Sequence, residues 1–236
     1  MNSIETESID VVLLCGGKGE RLKSAVNDRP KVLAEINGRA FLDILIDYIA
    51  NFGFKHFILC TGYKSDLIKS YYKDKLRNLR ISFSQELKPL GTAGAIKNAK
   101  SLIKSPTFLV LNGDSLCKLD LVEFIKFHIE RKALFSAVLL KSEQAADYGI
   151  VSIGDSDRIL KFDEKVDTGE GCFISAGIYL FDNRIFSMIP SDKNFSLERQ
   201  LFPKITKSDF YGYKTDADFI DIGTPERYRQ AQKILK

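Results

Sequence analysis

Short apolar runs alternate with stretches of helical periodicity, and that alternation is the tightest constraint on how this chain can fold. "DVVLLC" (10–15), "HFILC" (56–60) and "FLVLNGD" (108–114) read as strands buried on both faces. Between the first two, "FLDILIDYIANFG" sets Phe41, Leu45, Tyr48 and Ile49 at helical spacing and stops at Gly53. "GTAGAIKNAKSLI" (91–103) repeats the pattern through Ala95, Ile96, Ala99 and Ile103. "DLVEFIKFHIERK" (120–132) does so through Leu121, Phe124, Ile125 and Ile129. Parallel strands need crossover connections of this kind, so the expectation is a mostly parallel sheet covered by helices on both faces.

Beyond residue 133 the texture changes. "LFSAVLLK", "YGIVSIG", "RILKFDEK" and "CFISAGIYLFD" are strand-like and divided by short Gly/Asp/Ser turns, as in an antiparallel insertion. The chain closes with "FIDIGTPERYRQAQKILK", where a strand passes through Gly223 into a helix capped by Thr224, with Pro225 in its first turn. No linker or repeat divides the 236 residues, and one α/β domain over 1–236 is expected. A net charge of +4 is too mild to imply nucleic acid or a membrane surface as partner. The N-terminal "MNSIETESIDVVLLC" carries acids where a signal peptide needs bases, and no segment reaches membrane-spanning length. Cys15, Cys60, Cys117 and Cys172 are far apart, without metal-site spacing or a disulfide framework. A reduced, cytoplasmic setting is expected.

"VVLLCGGKGERL" (11–22) runs from a strand directly into Gly16, Gly17 and Gly19. A P-loop would need Ser or Thr after Lys18, where Gly19 stands. A dinucleotide fingerprint would need glycine where Leu22 stands, and an acid near "CTG" (60–62). Two readings remain: a backbone nest for phosphate oxygens with Lys18 and Arg21 supplying charge, or a tight turn with two solvated bases. "DRPKVL" (28–33) favours the nest, because Pro30 extends Arg29 and presents Lys31 as a third cation nearby.

Two acids stand out. Asp114 follows a buried strand at its C-terminal end, where α/β sheets place ligands, although an Asx turn in "NGDS" would also account for it. Asp221 lies inside the apolar "FIDIG", where an unpaired carboxylate is costly and a cation or metal is the natural partner. The two histidines, His56 and His128, read as solvated, and no Ser/His/Asp grouping is visible in the sequence.

"LCGGKGERL", "RPKVL" and "NGRAFLDILI" together resemble the opening of the sugar-1-phosphate nucleotidyltransferases, also called sugar nucleotide pyrophosphorylases. The chain departs from that family at Ala40, where proline is usual, at Val166, again for proline, and in lacking a P-L-T run after R-L. "ELKPLGTAGAI", "LNGDS", "YGIV", "FDEKV", "SAGIYLF" and "FIDIGTPERY" follow in family order over nearly the whole chain. The resemblance implies a Rossmann-like, mostly parallel mixed sheet sandwiched by helices, with a small antiparallel sugar-binding insertion. It implies transfer of a nucleotidyl group from a nucleoside triphosphate to a sugar 1-phosphate, with Mg²⁺ as cofactor. Family members often form dimers or tetramers.

Carried onto this sequence, the resemblance makes Arg21, Lys31, Asp114 and Asp221 catalytic, with Asp114 and Asp221 holding the metal. Nucleotide binding falls to Leu14, Gly16, Gly17, Lys18, Gly19, Arg21, Gln85, Pro89, Gly91 and Thr92. The sugar phosphate falls to Gly149, Glu164, Lys165, Ala176 and Gly177, although a solvated charge pair would also explain Glu164 and Lys165. The short chain, "FSLE" and "FIDIGTPE" are similar to the branch that transfers guanylyl to a manno-configured heptose 1-phosphate. A uridylyl- or thymidylyltransferase acting on a hexose 1-phosphate, and a nucleotide-sugar-binding subunit without turnover, are the alternatives.

Overall fold

Valine and leucine of the first apolar run are withdrawn from water on both sides, which sets β1 (Val11–Leu14) inside a sheet. Val11 and Leu13 join the hydrophobic cluster on one face, and Val12 joins the cluster on the other. The computed structural model describes residues 4–73, 75, 78–142, 148–164, 172–206 and 208–235. After β1 come β2 (Glu35–Ile36), β3 (Arg39–Ala40), α1 (Phe41–Ala50), β4 (His56–Thr61), α2 (Ser65–Tyr72), β5 (Arg80–Gln85) and α3 (Gly91–Asn98). The middle of the chain forms β6 (Thr107–Asn112), β7 (Ser115–Cys117), α4 (Leu121–Glu130) and β8 (Phe135–Ser142). The remainder forms β9 (Gly149–Ile153), β10 (Ile159–Glu164), β11 (Cys172–Asp182), α5 (Phe202–Ile205), β12 (Phe210–Thr215), β13 (Phe219–Asp221) and α6 (Pro225–Ile234).

One nine-stranded sheet runs in the order β10-β9-β11-β6-β1-β4-β5, with β8 paired to β11 and β12 to β8. β6, β1, β4 and β5 are mutually parallel, as the crossover pattern requires. β11 lies antiparallel to β6, β8 and β9, so the expected antiparallel region extends the main sheet. β13 pairs with β7 outside that sheet. The chain leaves β1 between β4 on one side and β6 on the other. That reversal opens a crevice beyond the C-terminal ends of these strands, where α/β folds place ligands.

Both histidines depart from expectation. His56 is 6% exposed, with Nδ1 2.6 Å from Asp10 Oδ1 and Nε2 2.9 Å from Ser82 Oγ. His128 is 4% exposed, with Nδ1 2.8 Å from Ser136 Oγ. Leu121, Phe124, Ile125 and His128 complete the buried stripe of α4, while Ile129, expected there, is 57% exposed. The polar partners at Asp10, Ser82 and Ser136 make the burial of two imidazoles tolerable.

Candidate active site

The crevice is a cleft of about 680 Å³, a size typical of small-molecule sites. Its walls come from the ends of four parallel strands. β1 delivers Leu14 and the turn Gly16, Gly17 and Lys18; β4 delivers Gly62 and Tyr63; β5 delivers Glu86; β6 delivers Asn112 and Asp114. Among the described residues no protein acceptor faces the backbone N–H groups of Gly16, Gly17, Lys18 or Gly19. Gly19 closes the turn in the left-handed region, at φ +62°. Such a row of unpaired donors is a ready anion nest.

At one end lies the stretch "ELKPLGT", of which Pro89, Gly91 and Thr92 line the cleft as expected. Gln85 does not: it is exposed on β5, and its Oε1 accepts from Lys69 Nζ at 2.5 Å. The next residue, Glu86, turns inward. A Cβ at Gly62 would lie 2.6 Å from Glu86 Oε1, and one at Gly16 3.0 Å from it, so both glycines make room for the carboxylate. Its Oε2 accepts the Leu90 N–H at 3.0 Å. Burial pushes the Glu86 carboxyl above its ordinary pKa, and the Leu90 N–H partly opposes the rise.

At the other end the cations and carboxylates meet. Lys31 enters from the turn after Pro30, is 13% exposed and pairs with Asp114 Oδ2. Pairing of β13 with β7 sets Asp221 opposite Ser115, and the Ile222 N–H donates to the Asp114 carbonyl at 3.0 Å. Gly223 N–H holds Asp221 Oδ1 at 2.7 Å, while Tyr148 Oη and Arg227 Nη1, the latter at 3.2 Å, hold Oδ2. A Cβ at Gly223 would lie 2.8 Å from Asp221 Oδ1, 3.6 Å from Arg21 Nη2 and 3.7 Å from Lys31 Nζ. Arg21, Lys31, Asp114 and Asp221, distant in sequence, are therefore one cluster. Among the described residues no group of three His, Cys, Asp or Glu could cage a metal. Two hard carboxylates, with the other positions left to phosphate and water, are the donor set that suits Mg²⁺.

The expected sugar side is partly in view. Gly149 opens β9 opposite Glu164, the last residue of β10. Gly177, at φ +71°, lies against Asn112, whose Nδ2 would be 2.3 Å from a Cβ there, and Ala176 beside it is buried. Lys165 and Val166 lie outside the described residues, as does the side chain of Glu164. Sequence reasoning passed over Glu86, Asn112, Tyr148, Asn194 and Arg227. The quoted stretches "ELKPLGTAGAI", "LNGDS", "YGIV" and "FIDIGTPERY" did contain four of them, all but Asn194.

A nucleotide-sized crevice at a strand-order reversal, with an anion nest at one strand end and a carboxylate pair at another, defines a nucleotide-handling α/β transferase. The chain belongs to the nucleotidyl transferase family, whose sequence profile it matches over residues 10–236. It is 37% identical over 229 residues to the D-glycero-alpha-D-manno-heptose 1-phosphate guanylyltransferase of Aneurinibacillus thermoaerophilus, covering 97% of this chain and 99% of that one. It is likewise 37% identical over 223 residues to the protein of the same name from Campylobacter jejuni, covering 93% and 97%. HddC from Yersinia pseudotuberculosis superposes with a TM-score of 0.86 at 38% identity, over 97% of this chain and 100% of that one. HddC in complex with GMP-PN gives 0.85 at 37% identity, with the same coverage.

Proposed function

We propose that this chain transfers a guanylyl group from GTP to D-glycero-α-D-manno-heptose 1-phosphate, as a single-domain cytoplasmic enzyme. The observation that carries the chemistry is the convergence of Arg21, Lys31, Asp114 and Asp221 at one end of a cleft floored by unpaired backbone N–H groups. Full-length likeness to two heptose 1-phosphate guanylyltransferases supports the choice of substrates.

A phosphate oxygen of the sugar 1-phosphate attacks the α-phosphorus of GTP. The bond from that phosphorus to the oxygen bridging the β-phosphate breaks, and pyrophosphate leaves with the electron pair. The nucleophile is already ionised, so the site needs no general base; its task is to bring anions together and hold them in line. The glycine turn and Lys18 bind the triphosphate, while Arg21 and Lys31 stabilise the charge that shifts toward the leaving group. Asp114 and Asp221 would hold Mg²⁺, which would supply charge to neutralise the phosphates. Lys31, which pairs with Asp114 in this structure, would then be free to turn to phosphate. Gly149, Glu164, Lys165, Ala176 and Gly177 remain the residues we assign to the sugar phosphate.

Glu86 favours guanine over uracil and thymine. Guanine presents N1–H and the 2-amino group as adjacent donors, which the carboxylate can accept on the lone pairs that the Leu90 N–H leaves open. Uracil and thymine present one donor between two carbonyls, which a carboxylate repels. The test is a matrix of GTP, UTP and dTTP against heptose and hexose 1-phosphates, read by pyrophosphate release in Mg²⁺. GTP with the manno-configured heptose 1-phosphate is expected to give the highest kcat/KM. Faster reaction with UTP or dTTP for every sugar would overturn the guanylyl assignment alone. No release from any pair would make the chain a nucleotide-sugar-binding subunit.

A further inference from the structure

The "NFSLE" stretch (194–198) lies about a hundred residues downstream of "PLGTAG", yet the two are laced together. Thr92 Oγ1 donates to Glu198 Oε2 at 3.0 Å and accepts the Leu197 N–H at 2.8 Å. Ser196 Oγ donates to the same Glu198 oxygen at 2.9 Å. The Phe195 N–H donates to the Leu90 carbonyl at 2.7 Å, and Asn194 Nδ2 donates to the Pro89 carbonyl at 3.2 Å. α3 starts without a side-chain cap, and the Phe195 carbonyl takes the Gly94 N–H at 3.0 Å in its place. Gly91 sits at φ +72° with its α-carbon turned toward this stretch, where a Cβ would meet the Phe195 oxygen at 2.8 Å. Behind these contacts Leu197, Leu201 and Phe202 are fully buried, so the downstream stretch is anchored in the core.

The Thr92 hydroxyl is thereby committed on both its donor and an acceptor side, and points to protein. Pro89, Gly91 and Thr92 nevertheless form the cleft wall, continuous with Glu86 through its bond to the Leu90 N–H. We propose that residues 194–198 are a positioning strap for the base-reading loop, with the Thr92–Glu198 hydrogen bond as its pin. Thr92 is then a positioning residue, and the base contacts fall to the loop backbone and Glu86. This rests on the nucleotidyl-transfer reading given above.

The test measures GTP and UTP affinity by calorimetry, and KM for each substrate, in folded Glu198→Ala and Thr92→Val proteins. Loss of this half-buried pin hydrogen bond is expected to raise the GTP dissociation constant and KM roughly tenfold. KM for the sugar 1-phosphate should stay within about twofold, and the GTP-over-UTP preference should narrow. Glu198→Gln keeps an acceptor oxygen and Thr92→Ser keeps a hydroxyl, so each should recover most of the affinity that its partner variant loses. A fall in melting temperature with GTP affinity and base preference intact would overturn the proposal. So would equal losses for nucleotide and sugar, or a loss in Thr92→Val that Glu198→Ala does not share, which would make Thr92 a direct ligand. Wild-type protein that binds neither nucleotide overturns the nucleotidyl-transfer reading itself. Wild type that binds GTP, with variants that bind it equally, removes only the strap. Should Glu198→Ala fail to fold, Thr92→Val against Thr92→Ser decides the question.

Discussion

Glu86 reaches the cleft from the turn after β5, one oxygen against Gly16 and Gly62 and the other on the Leu90 N–H. Replacing it by glutamine keeps the Leu90 bond but exchanges one acceptor for an amide donor. The ratio of kcat/KM for GTP to that for UTP should then fall by about 10–100-fold, the scale on which a polar pocket rejects an unmatched partner. Equal loss with both nucleotides would instead make Glu86 a support for the loop. Sequence alone pointed one residue upstream, to Gln85, because the resemblance fixes the loop and leaves the side-chain direction at the strand end open. There β5 sends Gln85 outward to Lys69, and the turn brings Glu86 in. Lys31, Asp114 and Asp221 were named because the resemblance aligns them, and the structure brings all three to one end of the cleft. Tyr148 and Arg227 were not, since a tyrosine and an arginine in polar stretches show nothing of the carboxylate they will meet.

α4 shows what periodicity conveys and what it leaves out. The stripe at 121, 124 and 125 continues equally well to 128 or 129, and the polar partner Ser136 on β8 selects His128. Burial pushes the imidazole of His128 down to about 4, with Asp182 only partly opposing it. In the unfolded chain it titrates near 6.5. Above that value neither state holds an extra proton, and the group has no effect on stability. As pH falls from 6.5 toward 4 the unfolded chain takes up the proton first, so stability declines, by on the order of 3 kcal/mol once both are protonated. Melting temperature followed across that interval should flatten in His128→Gln, whatever the change in its absolute value. An unchanged slope would show that other groups set the acid sensitivity. Elements without a clean stripe were harder to see: β5 is a half-exposed edge strand, and α2 is short and carries only Ser65, Ile68 and Tyr72 inward.

For the molecule as a whole, the alternation of strand and helix patterns was enough to give the parallel core. It could not show that the later antiparallel strands join that core through β11 and β6, because such pairing is long-range and leaves no local mark. At the opposite, N-terminal ends of these strands, Asp10 ties β1 to His56 on β4 and to the Lys104 and Ser105 N–H groups before β6. Burial alone would raise its carboxyl, but His56 and these donors outweigh it and leave the pKa at about 2. The strand ends that carry the cleft are thus braced from behind. In front, Lys18, Arg21, Lys31, Lys88 and Arg227 outnumber Glu86, Asp114 and Asp221. Both proposed substrates are multiply charged anions, so their diffusional capture should be accelerated by the field of that excess and slowed by screening. Raising KCl from about 50 to 300 mM, which shortens the Debye length to well under 10 Å, should lower kcat/KM several-fold and leave kcat nearly constant. A flat profile would mean that the carboxylates cancel the cations at a distance. The imbalance also acts on the way out, since pyrophosphate is the most densely charged species in the cleft and the one its cations would retain longest.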